Sequence, residues 1–351
     1  MKKVLLRVPI ILIAILLVIT FSFVGCKDEA TEEEAVTEEE VAEEETEEPP
    51  AEEEEEAEVS EEPFVVGYIP RAFVSVYFVT MAEAVEAAAA EKDGIEVRVV
   101  SPVDQKDVEG QIKIIEDLTQ QGVDLLAVSV NDPNACVPAL LEAQAAGIPV
   151  ILLDTVDPLP GIEVLSLIGS SHYTGGIMTA EYIAELLDGE GKVAIIEGVA
   201  GQYANEKRLE GIHSVWDTGF PGIEIVSAQP GNWDRATAMS VMENIIQANL
   251  GQQVVIGMND GMALGALKAL EDAGVLDQNM VIGYNADEEA MVAVKDGKMT
   301  ATIMQQPAVI GMTIIEIAEM IKEGRIDEVE SLIEIPLILI TSENIEEYLA
   351  E

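Results

Sequence analysis

A small set of polar and aromatic side chains stands where short apolar runs stop. Arg71, Ser75, Tyr77 and Phe78 follow the run FVVGYI at 64–69. Asp154 and Thr155 follow PVILL at 149–153, and Trp233 lies in QPGNWDR at 229–235. Asn259 and Asp260 follow VVIGM, Asn285 follows MVIGY, and Gln305 with Gln306 follows TATIM. Carboxylate, amides and aromatic rings suit a neutral, hydroxyl-rich ligand. Amides and carboxylates meet hydroxyls in both donor and acceptor senses, and ring faces cover the C–H faces of a sugar while polar groups fix its orientation. Plainer readings stand beside this one. Asn259 or Asp260 suits a helix cap, and Asp154 suits a turn before Pro158. Trp233 and the Tyr77-Phe78 pair suit core packing, and Asp234 suits a cap with Arg235 in a surface ion pair.

Other chemistries find little to work with. The sequence has no Gly-rich phosphate loop ending in Lys-Ser/Thr, no dinucleotide fingerprint and no Ser nucleophile between glycines in a strand–turn–helix. Its two histidines, His172 and His213, are far from metal-ligand spacing. Ser170-Ser171-His172 is a local cluster rather than a triad, and His213 falls within a helical pattern as a structural residue. An enzyme would have to work with carboxylates alone, and no pair at the required separation stands out. The expectation is a binding protein, not an enzyme, with no cofactor and no metal.

The residues named above need a scaffold that brings distant strand ends together. Apolar runs without polar alternation predict buried strands over 64–69, 95–100, 124–130, 149–153, 164–168, 192–197, 223–228, 254–258, 280–284 and 300–304. Between them, 3.6-residue periodicity predicts helices over 76–92, 105–121, 135–146, 174–187, 205–217, 234–248, 261–271, 287–294 and 308–322. This alternation predicts an α/β fold with parallel sheets covered on both faces. A closed barrel would stop at eight strands; ten favour two doubly wound lobes, whose strand ends would face one cleft.

Charge divides the chain into three parts. The 351 residues carry 67 acids against 18 bases, a formal charge of −49. Lys2, Lys3 and Arg7 precede an apolar run over 8–24, the grammar of a secretory signal. Phe23-Val24-Gly25-Cys26 resembles a bacterial lipobox, which implies a signal peptide at 1–25 and a lipidated Cys26. An uncleaved anchor helix and an ordinary signal are the alternatives, and each puts the body outside the cytoplasmic membrane. From Lys27 to Glu62 there are 21 acids and one Lys. Such a block repels itself, so residues 26–62 are expected to form a disordered tether. The remaining 289 residues still carry −32, which leaves no general affinity for nucleic-acid phosphates. Two cysteines exclude a disulfide framework, and Cys136 reads as a small buried hydrophobe.

Several stretches of the body resemble the ribose-binding-protein-like periplasmic sugar-binding proteins. They are AGIPVILLD (146–154), NWDRATAMSVMENII (232–246), MNDGMALGALKAL (258–270), VIGYNADEEA (281–290) and DGKMTATIMQQP (296–307). The resemblance implies two doubly wound parallel-sheet lobes joined by a three-crossing hinge. The N-terminal lobe would comprise 63–167 and 306–330, and the C-terminal lobe 168–305 and 331–351. Ligand would bind between the lobes and stabilise the closed form. The sugar-contacting positions would be Ser75, Tyr77, Phe78, Asp154, Trp233, Asn259, Asn285 and Gln305.

Departures from the family pattern also carry expectations. Thr155 stands where an Arg usually follows the fourth-strand Asp, Glu206 occupies the place of a second Arg, and Asn285 replaces an Asp. The expected site therefore lacks two guanidinium forks, with Arg71 substituting in part. Asp154 with Glu206 would favour a polyol, an amino sugar or another donor-rich ligand. The implied protein is a monomeric, lipid-anchored solute receptor on the outer side of the cytoplasmic membrane, serving an ABC transporter permease. The alternative is a receptor for a furanose-type quorum signal or the input to a sensor kinase.

Overall fold

The structure, a computed structural model, describes residues 62–349. The signal segment, Cys26 and the acidic arm up to residue 61 lie outside the described residues. Among the described residues no helix is long and apolar enough to cross a membrane.

Two six-stranded sheets organise the body. The first contains β1 (Phe64–Ile69), β2 (Ile95–Val99), β3 (Leu125–Val128), β4 (Val150–Leu153), β5 (Ser166–Gly169) and β11 (Leu332–Glu334), in spatial order β11-β5-β4-β3-β1-β2. The second contains β6 (Glu190–Glu197), β7 (Gly222–Pro230), β8 (Val254–Gly257), β9 (Met280–Asn285), β10 (Ala301–Met304) and β12 (Ile338–Thr341), in order β12-β10-β9-β8-β6-β7. All pairings are parallel except β10 with β12. In both sheets the order reverses beside the first strand of the lobe, β1 or β6. That is the switch point at which open sheets leave a crevice beyond their carboxyl ends.

Strand alternation separates two cores in the first lobe. Val66 and Tyr68 of β1 face α1 (Val76–Ala90) and α9 (Pro307–Lys322), together with Met81, Ile310 and Ile314. Val65 and Ile69 face the opposite side, with Ile115 and Leu118 of α2 (Val108–Gln120) and Leu140 of α3 (Val137–Ala145). Cys136 is buried in this second core and donates to Gln111 Oε1 at 3.4 Å. The second lobe gathers one larger core from both faces of its sheet. It draws on α4 (His172–Leu186), α5 (Tyr203–Gly219), α6 (Arg235–Ala248), α7 (Asp260–Ala273), α8 (Glu288–Lys295) and α10 (Ile345–Tyr348).

Several details differ from the sequence reading. Helix α2 starts at Val108, because Asp107 caps it by accepting from Gly110 N at 3.0 Å; this leaves Gln105 in a loop. Helix α4 starts at His172, because Ser171 Oγ accepts from Thr174 N at 3.1 Å. The expected assignment of 331–351 to the second lobe is corrected at its start. Leu332–Glu334 pair in parallel with Leu167–Gly169 and form an edge of the first sheet. Ile168 and Gly169 likewise belong to the first sheet. The chain therefore crosses between lobes at Ser170-Ser171, at Gln305-Gln306 and at Pro336-Leu337. Gln306 Nε2 donates to Pro336 O at 3.0 Å and ties the second crossing to the third.

Candidate functional site

The carboxyl ends of both sheets converge on one cavity. It is lined by Arg71, Ser75, Tyr77, Phe78, Gln105 and Asp154 from the first lobe, by Ala204, Arg208, Trp233, Asn259 and Asn285 from the second, and by Gln305 at the crossing. Nine of the eleven residues expected at the site are thus brought together. Asp154 is the hub. Its carboxylate lies 3.3 Å from Arg71 Nη2 and accepts from Tyr77 Oη at 3.1 Å and from Gln305 Nε2 at 3.4 Å. His172 Nε2 stands 3.5 Å from the same carboxylate. Burial opposes the charge on Asp154, but the hydrogen bond from His172 and the charges of Arg71 and Arg208 overcome it and hold the carboxyl well below the usual range. Burial lowers the pKa of His172 more than Asp154 raises it, and Arg208 and Arg71 add to the lowering.

Two expected residues stand elsewhere. Glu206 is exposed on α5 and accepts from Gly201 N at 3.0 Å, serving the helix start rather than the cleft. Thr155 is buried, but its hydroxyl bonds to Asp157 N and O at 3.1 Å and shapes the turn after β4. The expectation of missing guanidinium forks is also corrected. Arg208, two residues beyond Glu206, points inward. Its Nη2 donates to Gln305 Oε1 at 3.1 Å and to His172 Nδ1 at 3.3 Å, and its Nη1 bonds to Met258 O. The guanidinium lies 3.5 Å over the Tyr284 ring and 5.7 Å from Trp233. Arg71 and Arg208 are each 4% exposed, so two desolvated guanidinium groups flank Asp154. Helix phase explains the difference. Residues 204, 208, 211 and 212 share one buried face of α5, whereas 206 and 210 lie on its exposed side.

That face is placed by close helix contact. A Cβ on Gly176 of α4 would overlap Arg208 O, and one on Gly211 of α5 would overlap Tyr173 O. The two glycines let the backbones touch and set the depth at which Arg208 enters the cleft. Trp233 is placed similarly, since a Cβ on Gly198 would overlap its ring. The indole Nε1 donates to Gln202 Oε1 at 2.5 Å, and Gln202 Nε2 donates to Gln105 O of the opposite lobe at 2.9 Å. Asn259 is the helix cap of the plainer reading and also lines the cavity. Its Oδ1 caps α7 through Met262 N at 2.8 Å, and its Nδ2 donates to Trp233 O at 3.4 Å. Asp234 caps α6 and Arg235 pairs with Glu289 on the surface, as the plainer reading had them.

Backbone strain marks the same residues. Asp154 (φ 58°), Trp233 (φ 62°) and Asn285 (φ 129°) adopt positive φ, a conformation disfavoured for side chains with a Cβ and especially for a bulky one. Such outliers persist where surrounding structure over-determines them, as at ligand clamps. The central cavity holds about 30 Å³, and a flanking groove of about 630 Å³ opens beside it past Ser75, Gln105, Trp233 and Asn259. Among the described residues no cluster of His, Cys, Asp and Glu could hold a metal ion.

Comparison with known proteins agrees with this geometry. A family model described as a periplasmic binding protein domain matches residues 66–326. The chain belongs to the periplasmic binding protein family. The ribose import binding protein of Bacillus subtilis is 35% identical over 282 residues, which cover 80% of this chain and 88% of that protein. An ABC transporter solute-binding protein from Actinobacillus succinogenes, solved with bound D-allose, is 30% identical with a TM-score of 0.74, covering 82% of this chain and all of that one. One from Bacillus halodurans, solved with bound myo-inositol, is 30% identical with a TM-score of 0.76, covering 83% and 99%. A periplasmic binding protein is a receptor rather than an enzyme. The network around Asp154 holds donors and acceptors in place.

Proposed function

We propose that the protein is the extracytoplasmic solute receptor of an ABC importer and closes its two lobes over a sugar or sugar-like polyol. One observation carries the ligand class. A single ionised carboxylate, Asp154, is flanked by two buried guanidinium groups, by Gln305, Asn259 and Asn285, and by the rings of Phe78 and Trp233. Arg71 Nε and Arg208 Nε are buried without a hydrogen-bond acceptor. Buried donors are nearly always matched in folded proteins, so a ligand bringing several oxygens completes the set. Sugar hydroxyls donate to Asp154 and accept from both arginines. With Glu206 outside the cleft, the argument for an amino sugar loses one of its two carboxylates. The ligands named for the relatives, ribose, D-allose and myo-inositol, are all small polyhydroxylated compounds of this kind.

The rest of the reading follows from the segments around the body. Lipid on Cys26 anchors the receptor on the outer side of the cytoplasmic membrane, the acidic arm holds it off the surface, and the closed monomer is what the permease recognises. Thermal unfolding against pentoses, hexoses, polyols and inositols tests the central claim. A ligand at 100 times its dissociation constant adds about 2.7 kcal/mol, a shift of several degrees. A shift confined to one stereochemical group supports the proposal, and a folded protein indifferent to the whole panel refutes it. Loss of acyl labelling in Cys26→Ser tests the anchor.

A further inference from the structure

The ring of His172 stands at the first lobe crossing and is fully buried. Its Nε2 lies 3.1 Å from the backbone oxygen of Asp154, and its Nδ1 lies 3.3 Å from Arg208 Nη2. A carbonyl oxygen only accepts and a guanidinium N–H only donates. The two neighbours therefore fix one state of the imidazole: Nε2 carries the proton and Nδ1 offers its lone pair. The ring ties the end of β4 in the first lobe to helix α5 in the second. It also holds the Asp154 carbonyl in the direction that the left-handed φ of 58° gives it.

We infer that His172 is a positioning residue for the ligand site, joining Asp154 to Arg208 as its neutral Nε2–H tautomer, and that ligand affinity falls when it takes up a proton. A proton on Nδ1 would face the Arg208 N–H, so the bond is lost and two cations oppose each other. Asp154 favours the proton, Arg208 and Arg71 oppose it, and Tyr203 meets the ring edge-on at 5.6 Å without charge. Burial tips the balance toward the neutral form. The inference rests on the sugar-cleft reading for its effect on affinity, but not for the tautomer.

Two measurements test it separately. Imidazole nitrogen NMR of the unliganded body resolves two rings, because His172 and His213 are the only histidines. His213 is exposed beside Asp217. One ring is expected as a locked Nε2–H tautomer that titrates below the ordinary histidine range. An Nδ1–H tautomer, or a cation at pH 7, overturns the inference whatever the protein binds. Titration calorimetry with D-ribose, D-allose and myo-inositol from pH 8 to pH 5 then reads the effect on affinity. Wild-type affinity should fall by about tenfold per pH unit once the ring protonates, the slope of a single linked proton. His172→Asn, which keeps an acceptor for Arg208, should bind with a flat profile, and His172→Leu should bind at least about tenfold more weakly at pH 8. A wild-type profile that stays flat through the pH at which NMR sees the ring protonate, or a sloping one retained in His172→Asn, removes the positioning role. Failure of all three sugars with the stated tautomer present counts against the sugar reading and leaves the bridge between lobes standing.

Discussion

Asp154 carries more of the site than any other side chain, and its surroundings say what its loss would do. Asp154→Asn leaves Arg71 and Arg208 buried without their counter-ion. Breaking a buried pair in this way costs about 3 to 5 kcal/mol, and ligand affinity should fall with it. Denaturant unfolding and calorimetry on the same variant check both. The lowered carboxyl pKa gives a sign as well. Folding is stabilised by the ionised form above the unfolded carboxyl range near pH 3.9, and this contribution is lost as pH falls below it. Asp154→Asn should therefore lack that acid-side loss. Glu206→Ala should leave affinity unchanged, because its carboxylate faces solvent; weakened binding would return Glu206 to the cleft. Asn285→Gly separates strain from contact. Glycine accepts positive φ without the Cβ penalty, so the variant should melt no lower than wild type yet bind ligand more weakly.

Among elements, the α4–α5 contact decides where Arg208 sits. Gly211→Ala places a methyl against Tyr173 O. Overpacking of this kind costs about 1 to 3 kcal/mol, and parting the helices withdraws Arg208 from Gln305. Reduced melting temperature and reduced affinity together are the expected outcome, and an unaffected affinity would show that the helix spacing is immaterial to the site. The start of α7 gives a second test. Asp260 is fully buried and accepts from Thr302 Oγ1 at 2.8 Å and Asp287 N at 2.7 Å, yet burial pushes its pKa up to about 6. Burial and the neighbouring Asp260 push Asp287 up to about 8. The folded protein holds protons here that the unfolded chain has released, so the pair makes stability fall as pH rises from about 4 toward 8. Asp260→Asn should flatten that part of the melting profile.

The same elements show what was legible in the sequence and what was not. Apolar runs located the ten strands that precede α9, because buried parallel strands need nothing else. The edge strands β11 and β12 were not foreseen. They are three and four residues long, β11 is mostly exposed, β12 is half-buried, and Pro336 interrupts the apolar run between them. Asp154, Trp233, Asn259, Asn285 and Gln305 were legible because a strand end is a place in a fold. Arg208 was not, because four of the five residues from 206 to 210 are charged and read along the chain as one solvated helix face. Helix phase distinguishes 208 from 206 by 200° and would have found it. His172 was passed over as part of a local polar cluster, although it too follows a strand.

At the scale of the whole molecule, a few bonds cross the cleft between the lobes. Gln202 accepts from Trp233 and donates to Gln105 O, so one amide links an aromatic wall of the site to the opposite lobe. Its loss should be felt after closure rather than before it. Gln202→Ala is expected to speed ligand release several-fold with little change in association, the usual division for a contact made in the final complex. Stopped-flow kinetics would settle this, and a slower association with unchanged release would place Gln202 outside the latch. The surface pair of Lys207 and Asp157, 3.9 Å apart across the same cleft, should contribute little.

The order in which the strands appear along the chain has a consequence for how the protein is made. The last strand of each sheet comes after all the others: β11 at Leu332–Glu334 completes the first, and β12 at Ile338–Thr341 completes the second. During synthesis or passage through an export channel, both lobes keep an open edge until nearly the whole described chain has emerged. Neither sheet is complete early, and the two become complete within about ten residues of each other.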